Sequence, residues 1–301
     1  MENALAARCM LFFDDLDALY KSFKLESRFA AAACAAMLAS RGKALERSSA
    51  EGLKRTVKKR VRVFSGLRSV LLPIVALMAQ SDAPGDALER VREAYAAIRT
   101  KFGANEYAAL AAVMLAASGR EQKFSEAAEG VRAVYDAFKA KHRFRTCSSD
   151  IPLCALMFQK GIDPKAAAED ADECFKLLRK EHRYGCRWAI AQTLALDPRG
   201  ANEKCAALME LRARLKKENR LFSLYYELSA LACLPEGTEA GSPEVMATYD
   251  LISGRRGLKA WSLDRGERLM ISHILVEPSD ELFCLALARN FEKQAAAAAA
   301  A

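Results

Sequence analysis

Five residues in the middle of the chain have the chemistry of metal ligands: His142, Cys147, Cys154, His182 and Cys186. Imidazole nitrogen and thiolate sulfur bind zinc, and the short steps His142 to Cys147 and His182 to Cys186 fall within ligand spacing. The same residues have a second explanation. His142-Arg143-Phe144 and His182-Arg183-Tyr184 occupy one place in two successive stretches, each at the expected end of a helix, where a cation meets the negative pole of the dipole. Asn219 fills that place in the next stretch, so the position does not demand imidazole, and no Cys-x-x-Cys occurs. The repeat outweighs the metal, and neither a metal nor a cofactor is expected. His273 sits inside the apolar run ISHILV and is expected to be a hydrogen-bonded core residue.

Other reactive groupings are missing. The sequence has no Gly-x-Ser-x-Gly, no glycine-rich phosphate loop and no His-Glu-x-x-His. Asp14-Asp15 and Glu169-Asp170 are adjacent pairs, which point to different helix faces and cannot work as a general acid and base. No catalytic residue is assigned, and the chain is not expected to be an enzyme.

Charge gives a stronger signal. Between Arg41 and Arg68 stand ten Lys or Arg and only two acids, so this segment carries the whole net charge of +8 and the rest of the chain balances. Lys54, Arg55, Lys58, Lys59, Arg60 and Arg62 concentrate the excess. Lys54, Lys58 and Arg62 are spaced to share one helical face, with Arg55 and Lys59 beside them. Their mutual repulsion would be offset by an anionic partner: an acidic protein, nucleic-acid phosphate or an anionic surface. No aromatic residues are interleaved for base stacking, and a nucleic-acid groove would need cations along several units. A solvated surface helix accounts for the same residues without any partner.

The elements that must hold these residues repeat. Phe23, Phe64, Phe102, Phe144, Tyr184, Phe222 and Trp261 recur at steps of 41, 38, 42, 40, 38 and 39 residues. After each comes a short, very apolar segment, such as Leu71–Gln80, Ala108–Ser118 or Ile151–Lys160, and then a longer charged one. Segments apolar on nearly every side belong in an interior. In the charged segment after Asp86, the residues Leu88, Val91, Ala94, Tyr95 and Ile98 fall at helical spacing. Asp163-Pro164 and Ser242-Pro243 pair a helix N-cap with a proline suited to the first turn. One hairpin cannot bury its apolar helix alone, whereas stacked neighbours can. The pattern predicts an all-α fold: an α-solenoid of about seven helical hairpins with a period near 40 residues, in the manner of HEAT and tetratricopeptide arrays. Residues 1–294 form one such domain, and the alanine tail 295–301 carries no side-chain information.

The residues FSGLRSVLLPIVALMA from Phe64 and VYDAFKAKHRFRTCSSDIPLCALM from Val134 carry a resemblance. From Phe64 to about Leu196 the chain resembles an uncharacterised bacterial family, domain of unknown function 4003. The Ser149-Asp150-Ile151-Pro152 junction is the most similar part. The resemblance implies a helical bacterial cytoplasmic protein and brings no activity or catalytic residues with it.

A polar edge is also expected. Arg68, Glu106, Asp150, Arg187, Glu227 and Asp264 each follow an aromatic marker by three to six residues. In a stack they would line one side, either as caps and ion pairs (Arg68 with Glu106, Asp150 with Arg187) or as a groove for a peptide or small ligand. No apolar run reaches the ~18 residues of a membrane span, and the nine widely spaced cysteines suit reduced thiols in the cytoplasm. The leading expectation is a binding or scaffold protein for a protein or peptide partner, with the basic patch as an anionic contact. Nucleic-acid or other polyanion binding through residues 54–62 is the alternative. An enzyme or small-ligand site in the concave groove comes third.

Overall fold

A computed structural model describes residues 2–24, 26–63, 65–118, 123–181, 187–218, 242–254 and 263–300. Among them the chain is all helical, with fourteen α-helices and no strand. In chain order these are α1 (Glu2–Ser22), α2 (Arg28–Ser40), α3 (Arg47–Arg60), α4 (Leu71–Gln80), α5 (Pro84–Phe102), α6 (Glu106–Ala117) and α7 (Phe124–Lys141). Then follow α8 (Ile151–Gln159), α9 (Pro164–Glu181), α10 (Arg187–Leu194), α11 (Ala201–Lys217), α12 (Pro243–Gly254), α13 (Arg265–Val276) and α14 (Asp280–Ala300). Short 3-10 turns at Gly66–Val70 and Ser148–Asp150 lead into α4 and α8.

Two kinds of helix alternate, for a reason visible in their residues. The even-numbered α2 and α6 are apolar all round, and every residue of Phe29–Ala39 and of Ala108–Ala116 is buried. Their alanines let neighbouring backbones approach closely. The odd-numbered α5 buries only the stripe Ala87, Leu88, Val91, Ala94, Tyr95 and Ile98, and turns its charges to solvent. Consecutive helices pair as hairpins: α1 with α2, α3 with α4, α5 with α6, α7 with α8, α9 with α10, and α12 with α13. The apolar helices α2, α4, α6 and α8 stack in order, while α5, α7, α9 and α11 do the same on the other layer.

The ends of this array are not free. α13 packs against α2 and α1, so the last described hairpin lies on the first. α14 then packs against α2, α6, α8, α13 and the Ser148–Asp150 turn, on the inner side of the stack. Leu282 to Leu287 are buried there, and Phe291 meets Tyr107 edge-on at 6.2 Å. α14 therefore covers part of the stack of apolar helices.

Charged pairs recur between the outer helices. Arg60 at the end of α3 pairs with Glu89 near the start of α5 at 3.3 Å. Lys101 at the end of α5 pairs with Glu129 of α7, and His142 after α7 lies 3.0 Å from Asp172 of α9. Between α9 and α11 the signs reverse, with buried Lys204 donating to Asp170 and, at 3.0 Å, to the Asp197 carbonyl. The aromatic markers share no such common role. Phe23 is buried, Phe102 is half-buried against Tyr135, and Phe144 is 98% exposed. Phe64, Tyr184, Phe222 and Trp261 lie outside the described residues.

Candidate anion-binding face

The basic segment divides into structural and free cations. Lys54 is half-buried, donates to the Ser22 carbonyl at the end of α1, and covers the Phe23 ring at 4.5 Å. Burial, and then the neighbouring Lys58 charge, lower its pKa, while Glu26 and Glu51 act the other way. Lys54 is thus a helix-end cap with a cation–π contact. Arg60 is held by Glu89. Arg55, Lys58, Lys59 and Arg62 are exposed and have no acidic or hydrogen-bonding partner for their side chains among the described residues.

The face is shorter than the sequence predicts. α3 stops at Arg60, and Val61 is already extended, at φ −107° and ψ 126°. The β-branched Val61 and Val63 favour leaving the helix. Arg68 also takes up the freed carbonyls, donating to the oxygens of Lys58 and Val61. Arg62 therefore does not continue the Lys54–Lys58 face. It turns away with the chain and lines a cleft between the end of α3 and the outer side of α5.

That cleft has a volume of about 680 Å³ and is lined by Arg60, Arg62, Arg92 and Arg99, together with Ser65 and an apolar floor that includes Val61, Leu67 and Tyr95. No Asp or Glu is in its lining. Arg92 pairs with Glu89 at 2.6 Å, so one carboxylate serves both Arg92 and Arg60. The Arg99 side chain is exposed and unpaired among the described residues. Four guanidinium groups around one cleft, with one carboxylate at its margin, form a concave cationic surface suited to anions. Sequence reasoning missed Arg92 and Arg99 because α5 is locally balanced in charge. Their spacing of seven residues, which places them on the same side of one helix, was the available signal.

The chain matches the family described as Protein of unknown function (DUF4003) over residues 16–286. It belongs to that family. The match takes in α3, the cleft and every edge position, and it ends within α14. No curated protein and no solved structure matches the chain.

Across this family region, the predicted edge residues act mainly at helix starts. Asp150 accepts the Cys147 N–H at 2.9 Å in a capping box, and Asp264 forms another with Glu267, at 2.8 Å in both directions. Glu106 opens α6, but the cap is its neighbour Asn105, which accepts the Ala108 N–H at 2.8 Å. Arg68 bonds carbonyls of its own hairpin instead of Glu106. Arg187 opens α10, and Glu227 lies outside the described residues.

The described members of the His/Cys cluster have separate partners. His142 bonds Asp172 and packs on Trp188 and Phe175, with ring centroids at 4.2 and 4.8 Å. Asp172 is held below the usual carboxylate range: its burial acts upward, but hydrogen bonds from Lys176 and His142 outweigh it. Cys154 is fully buried in the core, and Cys147 is exposed beside Ser149 at 3.0 Å. His182 and Cys186 lie outside the described residues. His273 is buried, 3.5 Å from Glu277. Among the described residues no group of three or more His, Cys, Asp or Glu is placed to hold a metal ion, and no helix is long and apolar enough to cross a membrane.

Proposed function

We propose that this chain is a non-enzymatic binding or scaffold protein. In this reading, residues 1–294 are one array of helical hairpins that holds an acidic segment of a protein or peptide partner against the α3–α5 face. The observation that carries the proposal is the set of unpaired exposed cations, Arg55, Lys58, Lys59 and Arg62, beside a cleft with three further arginines, Arg60, Arg92 and Arg99. In the next hairpins the cations meet acids, as in Lys101 with Glu129 and Arg132 with Asp136. Leaving like charges crowded without counter-charges costs stability, and an acidic partner offsets that cost. A peptide suits the face better than a nucleic acid. The free cations span one hairpin and a cleft, and the cleft's aromatic residue, Tyr95, is buried and offers no stacking platform. Seven described cysteines are unpaired, which suits a reducing cytoplasm.

The test is a fluorescence-anisotropy titration of the full chain with a labelled Asp/Glu-rich peptide and with short DNA and RNA, each at two salt concentrations. The expected result is salt-sensitive peptide binding. It should weaken roughly tenfold or more in the Arg55→Glu/Lys58→Glu/Lys59→Glu variant, because like-charge juxtaposition costs several kcal/mol. Unchanged binding by that variant, or no binding at all, overturns the proposal. Tighter binding of DNA or RNA replaces it with polyanion binding through residues 54–62.

A further inference from the structure

Resting on the acidic-partner reading, we infer that the cleft lined by Arg60, Arg62, Arg92 and Arg99 is a phosphate-recognition site, and that the partner segment carries a phosphoserine or phosphothreonine. The two halves of the basic face differ in kind. The exposed side of α3 mixes Arg55 with Lys58 and Lys59, whereas the cations lining the cleft are all arginines. Lysine is a hydrated point charge that attracts anions of any shape. Arginine presents a rigid fork that pairs with oxyanions two oxygens at a time. An all-arginine cleft beside a lysine-bearing helix therefore separates recognition from attraction.

The geometry favours phosphate over carboxylate. A side-chain carboxylate offers one planar pair of oxygens and a single charge. A phosphomonoester offers about two charges and three acceptor oxygens, which several guanidiniums can address from different sides. Arg62 and Arg99 are unpaired and available at once. Arg60 and Arg92 are held by the Glu89 carboxylate at 3.3 and 2.6 Å, through pairs that are half exposed and so exchangeable. Glu89 thus acts as a resident stand-in that a more highly charged anion displaces. Ser65 adds a hydroxyl whose oxygen accepts the Leu67 N–H at 3.3 Å, leaving its O–H to donate. Val61, Leu67 and Tyr95 close the floor but are each 4% exposed or less, so the anion is addressed by the arginines and Ser65.

The experiment uses one acidic peptide in three forms, with Ser, phosphoserine or Glu at its centre, titrated into the full chain by calorimetry. The phosphoserine form should bind at least about tenfold more tightly than the Glu form, as charge-assisted guanidinium pairs are added. Arg62→Lys/Arg99→Lys, which preserves charge, should erase most of that preference while leaving the Glu peptide bound. Glu89→Gln should tighten phosphoserine binding by about two- to fivefold, the range of an exposed ion pair. Circular dichroism establishes that each variant is folded. Equal binding of the phosphoserine and Glu forms, or indifference to all these variants, overturns the phosphate site while the acidic-partner reading stands. If none of the three peptides binds, both fall. An oligonucleotide that binds more tightly than the phosphopeptide also overturns the inference.

Discussion

The Lys293 ammonium lies 2.6 Å from a carboxylate oxygen of Glu267, a residue only 2% exposed. The same ammonium reaches Asp264 at 3.0 Å, so a single side chain of α14 closes the capping box at the start of α13. Burial pushes the Glu267 pKa up, as does Asp264, while Lys293 pulls it down. Lys293→Met should therefore destabilise the fold by about 2–3 kcal/mol, the lower end for stranding a buried charge, because Lys293 itself is partly exposed. Urea denaturation would measure this. Adding Glu267→Gln should recover part of the loss, and a loss unchanged by Glu267→Gln would show that the ion pair is not its source.

Asp15 should make stability fall as pH rises. Its carboxyl is pushed from 3.8 to about 6, chiefly by burial; the Leu45 N–H, bonded at 2.7 Å, acts against this and Asp14 adds to it. Between about pH 4 and pH 6 the folded chain holds a proton that the unfolded chain has released, so this group's contribution is lost through that window. Asp15→Asn keeps the acceptor for Leu45 and cannot ionise. It should be more stable than the parent by about 1–2 kcal/mol at pH 7.5 and equal to it near pH 4. Urea midpoints at the two pH values decide it, and a gain of the same size at both would point to packing instead.

Gly130 lies in the middle of α7, where helix propensity alone favours alanine by about 1 kcal/mol. A Cβ at that position would overlap the ring of Phe158 in α8, and overpacking costs about 1–3 kcal/mol. The steric effect is the larger, so Gly130→Ala should lower stability by about 1 kcal/mol. In a Phe158→Ala background the same substitution should become neutral or favourable. Thermal melts of the four variants form the double-mutant cycle.

Asn105 and Glu106 separate capping from a functional edge. Asn105→Ala should cost about 1 kcal/mol through the lost cap. Glu106→Ala should cost only a few tenths, from its place near the positive end of the α6 dipole. Chemical denaturation reads both, and a larger effect at Glu106 would reverse their roles.

The alternation of interior and surface helices was legible because it is local: α2 and α6 are apolar all round, whereas α5 carries a stripe, and each pattern fits within one helix. The contact of α13 with α2 was not legible. An apolar helix buried on every side does not record which neighbour covers it, and these two are more than 200 residues apart. The basic segment was read correctly as a concentration of charge, but its geometry depended on where α3 ends. Arg68 was expected to pair with Glu106, yet carbonyls exposed at that helix end stood nearer. The cleft needs arginines from two elements, and their proximity is a property of packing rather than of spacing.

The meeting of α13 with α2 has a consequence during synthesis on the ribosome. α2 is complete by Ser40, but α13 and α14, which both pack on it, lie beyond residue 264. At about 5–20 residues per second, Phe29–Ala39 waits on the order of ten seconds or more for its last neighbour. Throughout that interval the nascent chain presents an alanine-rich apolar strip to the cell. How long that strip stays uncovered is therefore set by the order in which the helices leave the exit tunnel.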